Sequence, residues 1–109
     1  MSNVIIMKTI IEKEFEQHNI EIHIKIKQRN GRKSWTSIEG LDKLEPNRDK
    51  LDTFIENIAK NLKKKFSCGA SIEKPEYIVQ LNGDHREGIK DFLIKGGFVN
   101  ETQIKMHGF

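Results

Sequence analysis

Residues 20–28 read "IEIHIKIKQ", and Ile20, Ile22, Ile24 and Ile26 occupy every second position without a break. A strand sends successive side chains to opposite faces, whereas a helix would scatter these four around its circumference. The stretch therefore predicts a strand with one buried face. His23, Lys25 and Lys27 share the other face, and the same parity runs on to Arg29. Asn30-Gly31 follows, a pair that favours tight hairpins because both central turn positions need positive φ. "KSWTSIEG" then predicts a second strand, with Thr36 and Ile38 on one face. If Ile38 is inward, Trp35 is outward, beside the cations.

The rest of the chain supplies the cover. After a polar connection containing Pro46, Leu51, Phe54, Ile55, Ile58 and Leu62 follow helical spacing. Asn47 or Asp49 is the candidate cap, and the helix ends in Lys63 to Lys65, where cations suit its dipole. Phe66 to Glu73 reads as a third strand, with Pro75 at the turn, and Tyr77 to Leu81 as a fourth. "NGDHREGIKDFLIKGG" reads as a second helix: Asp84 caps it with Glu87 three residues on, Ile89, Phe92 and Leu93 are buried, and Gly96-Gly97 stop it. "QIKMHGF" closes as a short strand with Ile104 and Met106 inward. Residues 1–19 are compatible with a short amphipathic helix (Ile6, Ile10 and Phe15 on one side) or with a tail, leaving 20–109 as the domain. The order β-β-α-β-β-α-β is an α+β pattern: a two-layer sandwich with two helices on one face of a five-stranded mixed sheet.

Charge is unevenly spread. The net charge is only +3, yet residues 20–40 carry five cations against two acids, and residues 60–72 carry four lysines and no acid. The excess sits in two segments, which suggests a basic surface aimed at a polyanion. The single cysteine, Cys68, leaves no disulfide framework or multi-cysteine metal site and suits a reducing compartment. The longest apolar run, Val4 to Met7, is far below a membrane span of about 20 residues. With no signal-peptide pattern at the N-terminus, a cytoplasmic location is expected.

Four motifs carry a resemblance. "QRNGRKSWTSIEG", "KKKFSCGASI", "VQLNGDHRE" and the terminal "KMHGF" stand in an order that resembles the eukaryotic translation initiation factor 1 (SUI) family over about residues 20 to 109. The resemblance implies a non-enzymatic factor that binds the small ribosomal subunit near the P site and promotes scanning and accurate start-codon selection. It implies ribosomal RNA contact at the hairpin tip, Arg29, Asn30, Gly31, Arg32 and Lys33, and at the basic helix end, Lys60, Lys63, Lys64 and Lys65. The Gly83-Asp84-x-Arg86 stretch matches a family hallmark. The implied partners are the small subunit and its RNA, initiator tRNA and mRNA by proximity, and other initiation factors, with the protein itself monomeric. The chain departs from the family in a longer Leu41 to Leu62 segment and a shorter "EKPEYIV" turn. It also has Trp35 where a smaller aliphatic is usual. In the family that turn opposes full seating of initiator tRNA.

Lys25, Lys27, Trp35 and Arg86 are further candidates for RNA contact. Trp35 either covers apolar sheet surface or stacks on an unpaired base. Arg86 is either a salt-bridge residue or a contact residue. Asp84, His85 and Arg86 suggest no catalysis, because a helix cap accounts for Asp84 and no nucleophile or oriented base accompanies it. His18, His23, His85 and His107 lack metal-ligand spacing, so no metal or cofactor is expected. The alternatives to an initiation factor are a general RNA-binding module and a SUI-type protein-docking scaffold.

Overall fold

The structure, a computed structural model, describes residues 20–29 and 33–108, and the backbone alone at Arg29. The reading of residues 1–19 lies outside these residues, as do Asn30, Gly31 and Arg32. The hairpin strands are β1 (Ile22–Arg29) and β2 (Lys33–Glu39). A short 3-10 turn, Leu41–Leu44, leads to α1 (Arg48–Phe66), then β3 (Ala70–Glu73) and β4 (Ile78–Asn82). Helix α2 (Arg86–Lys95), a 3-10 turn at Glu101–Gln103 and β5 (Ile104–His107) complete the chain. The strands form one mixed sheet in the order β3-β4-β2-β1-β5, antiparallel except for the β1–β5 pair. Both helices lie on one face, so the expected α+β two-layer architecture is the one adopted.

The alternation in β1 does what its period requires. Ile22 and Ile24 are fully buried and Ile26 nearly so, while Lys27 is exposed. From α1, Leu51, Ile55, Ile58 and Leu62 enter the same core, and Ile89 and Leu93 enter it from α2. Asn47 caps α1, its Oδ1 accepting from the Asp49 N–H at 3.0 Å. The stop of α2 is a Schellman motif: Gly97 is left-handed (φ 75°), its N–H bonds Ile94 O at 3.1 Å, and Phe98 N–H bonds Leu93 O at 3.0 Å.

Four expectations shift. Phe66 ends α1 instead of opening β3, because it continues the apolar spacing one turn beyond Leu62; Ser67 then turns left-handed (φ 49°). Tyr77 belongs to the turn before β4, with φ 60° and its hydroxyl donating to Asp52 Oδ1 at 2.9 Å. Asp84 stands one residue before the true cap position, His85, and no capping box with Glu87 forms. The capping box is instead at Asn100, whose N–H donates to Gln103 Oε1 at 2.8 Å. Met106 is on the core side of the sheet, opposite Ile24, but is exposed there and not buried: it lines an open cleft between Phe66 and the start of α2.

Candidate nucleic-acid interface

Connectivity decides which residues meet. β1 runs toward the hairpin turn and β2 runs away from it. α1 then begins at the far end, where Asp52 bonds Tyr77 and, at 2.9 Å, Lys74 Nζ in the β3–β4 turn. Nineteen residues of helix rise about 28 Å at 1.5 Å per residue, matching about 26 Å for the eight residues of β1. The last turn of α1 therefore returns to the level of the hairpin. Trp35 pairs with Asn82, and Asn82 N–H bonds Gly69 O at 3.0 Å just beyond α1. The ends of β1, α1, β4 and β5 and the starts of β2, β3 and α2 thus gather at one end of the sheet.

That end is cationic. Lys27 and Lys33 are exposed at the base of the hairpin turn, with Arg29 and Lys33 opposite each other in the ladder. Lys60, Lys63 and Lys64 line one shallow depression beside Ser67 and Cys68. None of these three makes an ion pair among the described residues. Lys65 turns the other way, its ammonium 5.8 Å from the Phe92 ring centroid. The opposite end of the sheet carries more acids: Glu21, Glu39, Asp42 and Glu76 line one depression there, with Lys43 and His23 among them. Such a distribution would favour approach of a polyanion by the lysine end.

The further candidates separate. Lys25 is not free on the exposed stripe; its ammonium bonds Glu39 Oε2 at 2.7 Å, so part of that stripe is neutralised within the sheet. His23 leaves the stripe as well, its Nδ1 lying 3.0 Å from His107 Nε2 with the rings stacked. Trp35 is half-buried on the open face, between Lys27 and Asn82 in the ladder. Arg86 donates from Nε and Nη2 to the two oxygens of Asp84 at 3.0 and 2.9 Å and from Nη1 to His107 O at 3.3 Å. The guanidinium holds the Asp84 carboxyl below the usual aspartate range, and the carboxylate raises Arg86 in return. Lys74 and Tyr77 lower Asp52 in the same way. Burial raises the Cys68 thiol, against the opposing field of Lys63, so it is not an activated thiolate.

Among the described residues no group of three or more His, Cys, Asp or Glu side chains is arranged to hold a metal ion, and no helix is long and apolar enough to cross a membrane. Sequence reasoning missed the role of Thr36, whose buried hydroxyl bonds the turn before α2. A hydroxyl on the aliphatic face of a strand was its only signal.

Fold and charge together define a small two-layer α+β domain with one cationic end. The chain belongs to the translation initiation factor SUI1 family, whose sequence model matches residues 18–99. It is 45% identical over 91 residues to eukaryotic translation initiation factor 1 of Mus musculus, covering 81% of this chain and 74% of that protein. The human protein of the same name is 44% identical over the same shares. A protein translation factor SUI1 homolog of Salix bakko is 41% identical, again over 81% and 74%. Among solved structures, the C-terminal domain of human eIF2D shares the fold, with a TM-score of 0.58 over 78% of this chain and 41% of that one, at 16% identity. Family and relatives together put the chain in translation initiation.

Proposed function

We propose that this protein is a non-enzymatic initiation factor of the cytoplasm that binds the small ribosomal subunit near the P site and promotes scanning and accurate start-codon selection. The contact surface is the hairpin tip, Arg29, Asn30, Gly31, Arg32 and Lys33, together with Lys60, Lys63, Lys64 and Lys65 at the end of α1. Lys27 and Trp35 flank it. Lys25 and Arg86 contribute less, since each is engaged by a carboxylate of the same molecule. The observation that supports this reading most is the delivery of two separately encoded basic segments to one end of the sheet, with the depression lined by Glu21, Glu39, Asp42 and Glu76 at the other.

Phosphate contact would dominate and would fix register without reading sequence. Control of start-codon choice needs one further property, a higher affinity for the open, scanning-competent subunit than for the closed one; equal affinity shifts nothing. Initiator tRNA and mRNA would be neighbours by proximity, and other initiation factors further partners.

The test is titration of the labelled protein onto purified eukaryotic small subunits at several salt concentrations, beside a variant with Arg29, Arg32 and Lys33 changed to alanine. Binding should be saturable and steep in salt, and the variant should be weaker, with the slope reduced by roughly one unit per lost phosphate contact. Unchanged affinity and slope in the variant would remove the hairpin from the surface. Equal affinity for unrelated structured RNA would favour a general RNA-binding module, and salt-independent binding a protein-docking scaffold.

A further inference from the structure

Thr36 lies on the buried, aliphatic face of β2 and is fully buried, where valine would fill the same space. Its hydroxyl is used twice: it donates to Gly83 O at 2.7 Å and accepts the His85 N–H at 3.0 Å. Gly83 N–H closes the same junction from the other side, on Ser34 O at 2.8 Å. The turn that starts α2 is therefore latched to β2 within three residues of Lys33. From there the connection continues through one ring. The His85 Nε2–H donates to Asn82 O at 2.8 Å, and the imidazole stacks on Phe66 with centroids 4.7 Å apart and planes 20° apart. Phe66 is the last residue of α1, directly after Lys63, Lys64 and Lys65.

Two glycines make room for this connection. A Cβ on Gly83, which has φ 96°, would lie 2.9 Å from His85 Nε2, and a Cβ on Gly88 would lie 2.5 Å from two atoms of the Phe66 ring. The imidazole–phenyl stack thus has a position without a side chain close against each of its rings.

We propose that Thr36 and His85 are positioning residues that hold the base of the hairpin, with Lys27 and Lys33, and the lysine end of α1 in one fixed relation, so that these two sets of cations engage RNA as a single rigid pair. The inference rests on the RNA-binding reading above. When two contacts are rigidly joined, the second forms at a high effective concentration once the first is made, and this gain is lost when their geometry loosens. Thr36→Val leaves every cation and the Gly83 N–H bond to Ser34 O in place yet removes both hydroxyl bonds of the latch, and His85→Ala leaves the backbone N–H on Thr36 yet removes the ring between β2 and Phe66.

The experiment is a double-mutant cycle on purified small subunits, at a temperature where circular dichroism shows every variant folded. Thr36→Val, His85→Ala and Thr36→Ser are each measured alone and combined with Lys63→Ala plus Lys64→Ala. Removing the two lysines should weaken wild-type binding about fivefold more than it weakens Thr36→Val or His85→Ala, a coupling expected only of linked groups. Thr36→Ser, which keeps the hydroxyl, should behave as wild type. Equal lysine losses in all backgrounds would overturn the proposal and leave Thr36 a stabilising residue only. A second readout needs no ribosome: Thr36→Val should shift the backbone amide resonances of both Lys33 and Lys64, and silence at Lys64 would break the proposed connection. Absence of any salt-dependent subunit binding by the wild type, with that amide coupling intact, would overturn the RNA reading and the functional use of the latch while leaving the physical link.

Discussion

Gly88→Ala sets helix propensity against a ring already in place. Alanine in the body of a helix is favoured over glycine by about 0.8–1.0 kcal/mol, and Gly88 is the third residue of α2, so somewhat less than that is available. Against it, the new Cβ would sit 2.5 Å from Phe66 Cε1 and Cζ. Carbon atoms in good contact are about 3.5–4.0 Å apart, so the ring must retreat by about an ångström. It is not free to do so at no cost, because its face is stacked on His85. Overpacking of this kind costs about 1–3 kcal/mol, and a disturbed ring pair forfeits up to about 1 kcal/mol more. The steric effect wins, and the expected outcome is a loss of about 1–2 kcal/mol. Urea unfolding followed by circular dichroism measures it: the midpoint should fall at constant slope, and Tm should fall by about 4–8 °C per kcal/mol lost. Adding Phe66→Leu should relieve the clash, making the double variant more stable than the sum of the single effects by about 1 kcal/mol. A Gly88→Ala protein more stable than wild type would refute the reasoning, since it would mean that Phe66 swings into the adjoining cleft beside Met106 without penalty.

Gly97→Ala provides the contrasting case: φ is 75° but nothing lies within 4 Å of the new Cβ, so backbone strain alone should cost about 1–2 kcal/mol, and Gly97→Asn less, read from Tm. Ser37 Oγ is buried without a hydrogen-bond partner among the described residues, so Ser37→Ala should leave stability unchanged or raise it by up to about 1 kcal/mol in the same assay. The folded pKa of Asp84 is lowered by Arg86, so its stabilising contribution is present above the unfolded value of about 3.9 and is lost as pH falls through the lower folded value. The stability difference between wild type and Asp84→Asn should therefore shrink from pH 6 toward pH 2, and a difference independent of pH would refute the ion-pair account.

What could be read from the residues was whatever rests on period. Ile22, Ile24 and Ile26 in β1 and Leu51, Ile55, Ile58 and Leu62 in α1 entered the core because burial of one face imposes spacing of two or of 3.6. What could not be read was decided by partners remote in sequence. Phe66 and Tyr77 have strand-forming side chains, but Phe66 completes a helix against His85 and Tyr77 is drawn to Asp52. Asp84 is a good cap by composition, yet Arg86 engages its carboxylate and Thr36, 48 positions earlier, holds the turn. Lys25 and His23 read as an exposed basic stripe because Glu39 and His107 become their neighbours only when the sheet assembles.

The same distinction explains why the cationic end was half legible. Each basic segment is visible as a run of residues, but their meeting depends on how far each element travels. Strand β1 and helix α1 set out from the same end of the sheet and cover nearly equal distances, so the lysines of the last helical turn reach the level of the hairpin. Removing one turn from the middle of α1 would lower them by about 5.4 Å and rotate them little, because a whole turn preserves the buried stripe. Removing two residues would instead rotate the stripe by more than half a turn and expose the leucines. Length is thus constrained twice over in α1, by the core in steps of a turn and by the charged end in ångströms.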